Sequence, residues 1–234
     1  MKTMFLSMIA AYLCGNVYIF VRALQTLSAW SWVWKVLFSL GYWAAALALA
    51  LSIFVLRHVE MPESLSQGLF TIGSVWLVFT LYMVLALLAT DLARLFIPAI
   101  KPYGFSISLG VIVCLLTYGY FNYKHPDINH LDITIDKPLS GEPIKVVAIS
   151  DVHLGNGTRK AQLKQFVEMI NAQYPDLIII GGDLIDNSLI PLYQQKMAEE
   201  LNLLKAPMGI YMAPGNHEYI SGLEACEAFL KNTP

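Results

Sequence analysis

The chain has 234 residues, of which 56% are hydrophobic and only 14% charged, with a mean hydropathy of +0.56. An ordinary soluble domain carries roughly 25% charged residues, so this composition excludes a wholly soluble protein. The formal net charge of −2 gives no reason to expect nucleic acid as a partner. Seven Lys/Arg and three Asp/Glu lie in residues 1–124, leaving eight and fourteen for 125–234, so a sparse, slightly basic half precedes an acidic one.

Four uncharged, mostly apolar runs come first, at residues 3–21, 36–56, 64–90 and 102–123. Each supplies the ~20 residues a helix needs to cross the hydrocarbon core of a bilayer. Backbone groups in that core must be satisfied within the structure, and none of the runs alternates with a two-residue period. Four membrane-spanning helices are therefore predicted. Lys2 ahead of the first run resembles a signal peptide, but no small-x-small cleavage site follows, and the run reads as a retained helix. Trp30, Trp32 and Trp34 before the second run suit the aromatic belt at a membrane surface, as do Tyr118, Tyr120 and Tyr123 at the end of the fourth. Cys14, Cys114 and Cys226 make no Cys-x-x-Cys pair and read as small buried hydrophobes.

The runs hold none of the charged residues that mark transport pathways, which points to an anchor or interaction module rather than a carrier. The loops after the first and third spans carry Arg22, Lys35, Arg94 and Lys101, and the other side carries Lys2, Arg57 and Lys124. Counted by the positive-inside rule, four against three places both ends outside the cytoplasm of a plasma or inner membrane.

Residues 125–143, dense in Pro, Asp and Gly, read as a linker between a membrane domain (1–124) and an α/β domain (144–234). His125 and His130 within it read as solvated surface residues. The alternating stretch 131–136 (LDITID) predicts a short, half-buried strand. Beyond the linker, strand and helix patterns alternate three times. Residues 146–149 (VVAI) form a continuous apolar run, which predicts a strand buried on both faces. It ends in Ser150, Asp151, His153 and Gly155. Thr158 is placed to cap a helix running to about Ala172, with Leu163, Phe166, Val167 and Ile170 on one face.

A second strand, in 176–183 (DLIIIGGD), ends at Asp183. A second helix is predicted over 189–205. A third strand, in 210–218 (IYMAPGNHE), ends at Asn216, His217 and Glu218. Ser221 and Glu224 read as the capping box of a third helix. This alternation predicts a mostly parallel sheet with right-handed crossovers. Ligands in such sheets are held at the carboxyl ends of the strands, and here all three ends deliver metal-binding residue types.

Asp-x-His at 151–153, Gly-Asp at 182–183 and Gly-Asn-His-Glu at 215–218 together resemble the calcineurin-like metallophosphoesterases, membrane-anchored type. Gaps of 32 residues from Asp151 to Asp183 and 33 from Asp183 to Asn216 each accommodate one strand–helix–strand unit. The resemblance implies a metallophosphoesterase-type α/β sandwich, present here in part. It also implies two divalent metal ions (Mn, Fe or Zn) that hydrolyse phosphomonoesters or phosphodiesters by a metal-bridging hydroxide. Carboxylate, imidazole and amide ligands without thiolate suit those metals. By the resemblance, Asp151 and His153 bind the first ion, Asp183 bridges, and Asn216 binds the second. His217 then contacts the phosphate and protonates the leaving oxygen. Asp186 and Glu218 read as supporting or helix-start carboxylates rather than ligands. The 155–158 stretch (GNGT) lacks a Walker Lys-Ser/Thr and reads as a flexible loop over the site. The membrane anchor suggests a phosphoester substrate that is lipid-linked or close to the bilayer.

The family pattern continues with a further metal-binding His and a Gly-His-x-His, and no histidine follows His217 here. The chain is therefore expected to be the front part of a longer enzyme, inactive as it stands. The alternative is a non-catalytic membrane protein with a degenerate phosphoesterase-like module.

Overall fold

The computed structural model describes residues 2–54, 62–136, 143–231 and 233. Two compact units make it up: Met1–Leu49 with Ile72–Ile135, and Ala50–Thr71 with Asp136–Pro234.

The first unit is built from α1 (Lys2–Thr26), most of α2 (Trp32–Phe54) and of α3 (Glu63–Phe96), and α4 (Gly104–Tyr123); the end of α2 and the first turns of α3 belong to the second unit. All four helices are long and apolar enough to cross a membrane. Leu6, Leu40 and Leu81, each more than half exposed, point outward from them. Hydrocarbon is the solvent that such a surface suits. Cys14 and Cys114 share this outer surface; only Cys226 is buried, which corrects the expectation for the other two. The helices outrun the uncharged segments, and the extensions carry Arg22, Asp91 and Arg94. These charges pair, with Asp91 Oδ1 at 2.8 Å from Arg22 Nη2 and 3.3 Å from Arg94 Nη1. Pairing at helix ends is how ionised groups are tolerated near hydrocarbon.

Inside this unit Asn16 is fully buried. Its Oδ1 accepts from Trp76 Nε1 at 2.9 Å and Tyr42 Oη at 3.2 Å, and its Nδ2 donates to the Tyr12 carbonyl at 2.9 Å. One amide thus links α1, α2 and α3. A Cβ on Gly73 would run into the Leu49 backbone, so α2 and α3 cross at a point that only glycine allows.

The second unit holds a three-stranded parallel sheet in the order β1 (Val146–Ile149), β2 (Leu177–Ile180), β3 (Ile210–Met212). Val147 pairs with Ile178, which pairs with Ile210. The helices between and after the strands are α5 (Lys160–Asn171), α6 (Ile190–Gln194), α7 (Ala198–Leu201), α8 (Asn216–Ser221) and α9 (Leu223–Leu230). Leu163 and Val167 of α5, Leu192 of α6, Leu201 of α7 and Phe229 of α9 pack with Ile178 and Ile180 in one core. Burying each such side chain is worth about 1.5–3 kcal/mol.

Only one sheet face is covered among the described residues. Ile179 and Tyr211, on the other face, are 42% and 63% exposed, so the expectation of strands buried on both faces is corrected. Residues 131–136 are not a strand. Leu131, Ile133 and Ile135 are exposed, and the segment pairs with none of the three described strands. The helix predicted over 189–205 breaks at Lys196, whose φ of 52° ends α6 and starts α7 in a new direction. Thr158 does not cap α5; the Lys160 N–H donates instead to Gln195 Oε1 at 2.9 Å, a partner 35 residues away.

Candidate metal centre

The three strands deliver their carboxyl ends side by side, and the chain bends sharply at three of the expected site residues. Asp151, His153 and Asp183 all have positive φ, at 55°, 50° and 52°. Left-handed backbone costs a non-glycine residue about 1–2 kcal/mol, and it persists here because pairing continues past the strands. The Asp151 N–H donates to the Gly182 carbonyl at 3.1 Å, and the His153 N–H to the Asp183 carbonyl at 2.9 Å. These kinks aim side chains into one space that a flat strand would send to opposite faces.

Two glycines permit the approach of the second and third strand ends. Gly182 has a φ of +96°, and a Cβ there would lie 2.8 Å from the Gly215 backbone. A Cβ on Gly215 would strike the Asp183 carboxylate.

The ligand atoms of His153, Asp183 and His217 all lie within 4.8 Å of one another. The imidazoles of His153 and His217 meet edge to face, with centroids 4.4 Å apart. Asp183 Oδ1 accepts the His217 N–H at 2.8 Å, which fixes the carboxylate against the start of α8. Asp151 sits at the rim, its side chain 68% exposed and its Oδ1 3.9 Å from His153 Nε2. Asn216, the first residue of α8, has an exposed side chain. The structure therefore brings three of the five expected residues into one cluster, sets Asp151 beside it, and leaves the Asn216 side chain exposed.

Asp186 holds a place the sequence reading did not specify. Its Oδ1 lies 3.1 Å from His217 Nδ1 and 3.7 Å from His153 Nδ1, so one carboxylate faces both rings. Only its position three residues after Asp183 hinted at this. Glu218 is buried to 1% exposure, and its carboxylate accepts the N–H groups of Gly215 at 2.7 Å, Asp183 at 3.0 Å and Ile185 at 2.9 Å. The capping carboxylate at this end of the domain is thus Glu218, at the start of α8. Ser221 is no helix cap; its hydroxyl donates to the Asp186 carbonyl.

The residues suit a divalent cation. Imidazole and carboxylate donors, with no thiolate, match Mn, Fe or Zn. Atoms about 2 Å from a common ion stand about 3–4 Å apart, which the 4.8 Å cluster accommodates. His217 Nδ1 is buried and its contact with Asp186 lies outside hydrogen-bond geometry, so this nitrogen has no hydrogen-bond partner among the described residues.

Comparison with known proteins agrees with this geometry. The calcineurin-like phosphoesterase family profile matches residues 144–233. An uncharacterized metallophosphoesterase of Campylobacter jejuni is 28% identical over 232 residues, covering 94% of this chain and 60% of the relative. A Danio rerio protein described as a transmembrane protein with metallophosphoesterase domain is 34% identical over 115 residues, covering 48% of this chain and 26% of that one. A UDP-2,3-diacylglucosamine pyrophosphatase of Chlamydia muridarum is 30% identical over 122 residues, half of this chain and 37% of the relative. The chain thus spans between about a quarter and three fifths of the length of these relatives. No solved structure matches it significantly. Residues 144–233 are a calcineurin-like metallophosphoesterase domain, carried behind four apolar helices long enough to cross a membrane.

Proposed function

We propose that the protein is a membrane-anchored, metal-dependent phosphoesterase in which Asp151, His153, Asp183 and Asn216 hold two divalent ions and His217 serves the phosphate. The observation that carries this reading is that His153 and Asp183 bring ligand atoms within 4.8 Å of each other with His217 equally close beside them, at the ends of three parallel strands. Bound there, divalent ions would neutralise the charge of a phosphoester and lower the pKa of water. Asp183, locked by the His217 N–H, is the carboxylate best placed to be shared. The Asp186 carboxylate, 3.1 Å from His217 Nδ1, holds one side of that ring and leaves the other ring nitrogen for the substrate. His217 would be the group that protonates the leaving oxygen.

The substrate we propose is a phosphoester carried on a lipid, hydrolysed at the membrane surface. Support comes from the four apolar helices and from the chlamydial relative, whose name specifies a diacylated nucleotide sugar. The Lys/Arg balance, four against three, supports a catalytic domain outside the cytoplasm.

The test is Asp183→Asn beside His217→Ala in a version of the domain completed with the later histidines of the family pattern, purified in detergent. Bound Mn²⁺ is counted by EPR, and hydrolysis of bis(4-nitrophenyl) phosphate is followed by absorbance. Asp183→Asn should lower metal content and turnover together, turnover by about 100-fold or more, whereas His217→Ala should lower turnover and keep most of the metal. Equal metal loss in the two variants would refute the division of roles, and unchanged metal in Asp183→Asn would refute the site.

A further inference from the structure

Helix α3 is longer than a membrane requires. Its 34 residues extend about 51 Å at 1.5 Å per residue, and ~20 residues already cross a hydrocarbon core of about 30 Å. The surplus is polar at the start, where Glu63, Ser64, Ser66, Gln67 and Thr71 fall within the first turns. Those turns belong to the second unit, with the metal centre. There they meet the loop that follows His153. Asn156 Nδ2 donates to Ser66 Oγ at 3.0 Å, and Arg159 Nη2 donates to Thr71 Oγ1 at 2.9 Å. Between them the Phe70 ring packs on Gly157, so closely that a Cβ on that glycine would lie 3.2 Å from Phe70 Cε1.

The loop so held is not the flexible segment that its glycines suggest. Arg159 Nε also donates to the Asn156 carbonyl at 3.2 Å, and the Gly155 N–H donates to the Thr158 carbonyl at 3.0 Å. Leu154, fully buried, accepts the Asp186 N–H at 3.0 Å. A Cβ on Gly155 would stand 3.3 Å from the Asp186 Cβ, so the loop backs directly onto the residue that faces both histidines.

We propose that the first turns of α3 brace the metal centre. Ser66, Phe70 and Thr71 are positioning residues that hold the 155–159 loop and, through Leu154, keep Asp186 in register with His153 and His217. This inference rests on the metal reading of that cluster. Two side-chain hydrogen bonds and one ring contact carry it, on residues outside the proposed ligand set. Its consequence is that occupancy of the metal site depends on how the start of α3 is seated at the membrane surface.

The test is the double variant Ser66→Ala/Thr71→Val, which removes both hydroxyls while keeping side-chain bulk, in the whole chain in detergent. Hydrogen exchange is measured at the amides of residues 155–159 and Asp186, with the β2 amides of Ile178 and Ile180 as the folding control. Mn²⁺ affinity is read by EPR titration. Exchange in the loop and at Asp186 should speed up about tenfold with β2 unchanged, and the Mn²⁺ dissociation constant should rise about five- to tenfold. Thr71→Ser, which keeps the hydroxyl, should stay at wild-type values in both measurements.

Unchanged loop exchange in the double variant overturns the brace, whatever the metal does. Faster loop exchange with unaltered Mn²⁺ affinity overturns the positioning role. A wild-type chain that takes up no Mn²⁺ overturns the metal reading itself, and is told apart because loop exchange still reports on the α3 contact.

Discussion

Glu218 is the residue outside the proposed ligand set whose loss should damage the domain most. Its carboxylate, 1% exposed, is the common acceptor for the N–H groups of Gly215, Asp183 and Ile185. It thereby ties the end of β2 to the end of β3. Glu218→Ala strands the buried Ile185 donor, at about 1–3 kcal/mol, and removes two partly buried bonds worth about 1 kcal/mol each. The sum is about 3–5 kcal/mol, a large share of the ~5–15 kcal/mol that holds a typical domain folded. Glu218→Gln keeps one acceptor oxygen but turns an amide NH₂ towards a backbone donor, and should cost about half as much. Pulse proteolysis across a urea series reads the α/β domain while the membrane helices stay in detergent. The control is Glu224→Ala at an exposed position, where a change within about 0.5 kcal/mol is expected. If Glu218→Ala shifts the midpoint no more than that control, the three hydrogen bonds do not hold the site together as argued.

Three further predictions are independent of this one. Gly215→Ala should sharply reduce both stability and Mn²⁺ uptake, because the new Cβ meets the Asp183 carboxylate and lies 2.6 Å from the Asp183 amide nitrogen. Gly41→Ala, with open space around it, should leave both nearly unchanged by the same assays. Burial first, and then the nearby Glu218 carboxylate, push the Cys226 thiol above its usual range. A raised folded-state pKa leaves stability intact below the unfolded value of about 8.5 and removes it as pH rises through the folded value. The urea midpoint should therefore fall above about pH 9, and Cys226→Ala should flatten that fall. A reporter active only outside the cytoplasm, fused after Lys124, should be active; silence there, with a working cytoplasmic reporter at the same site, would reverse the orientation.

The membrane half was legible because composition alone decides it: an uncharged run of 20 residues has few stable places except hydrocarbon. The three strands and the Asp, Asn and His residues at their ends were legible too, since apolar runs stopped by such residues are local patterns. Tertiary structure decided which partners those residues found. The Lys160 amide takes its cap from Gln195 rather than from Thr158 two residues before it. Lys196 interrupts a run of good helix formers with a φ of 52°, because Met197 must turn into the core beside Leu192. Asp186 faces both histidines, and Glu218 gathers three N–H groups from two loops, though neither has a spacing that singles it out from other carboxylates. The 155–159 loop has the composition of a mobile segment and is pinned by a helix some 90 residues earlier in the chain. Side-chain periodicity is written along a single segment, whereas a hydrogen bond or a packed glycine requires two distant segments to arrive at one place, and only the folded chain determines that meeting.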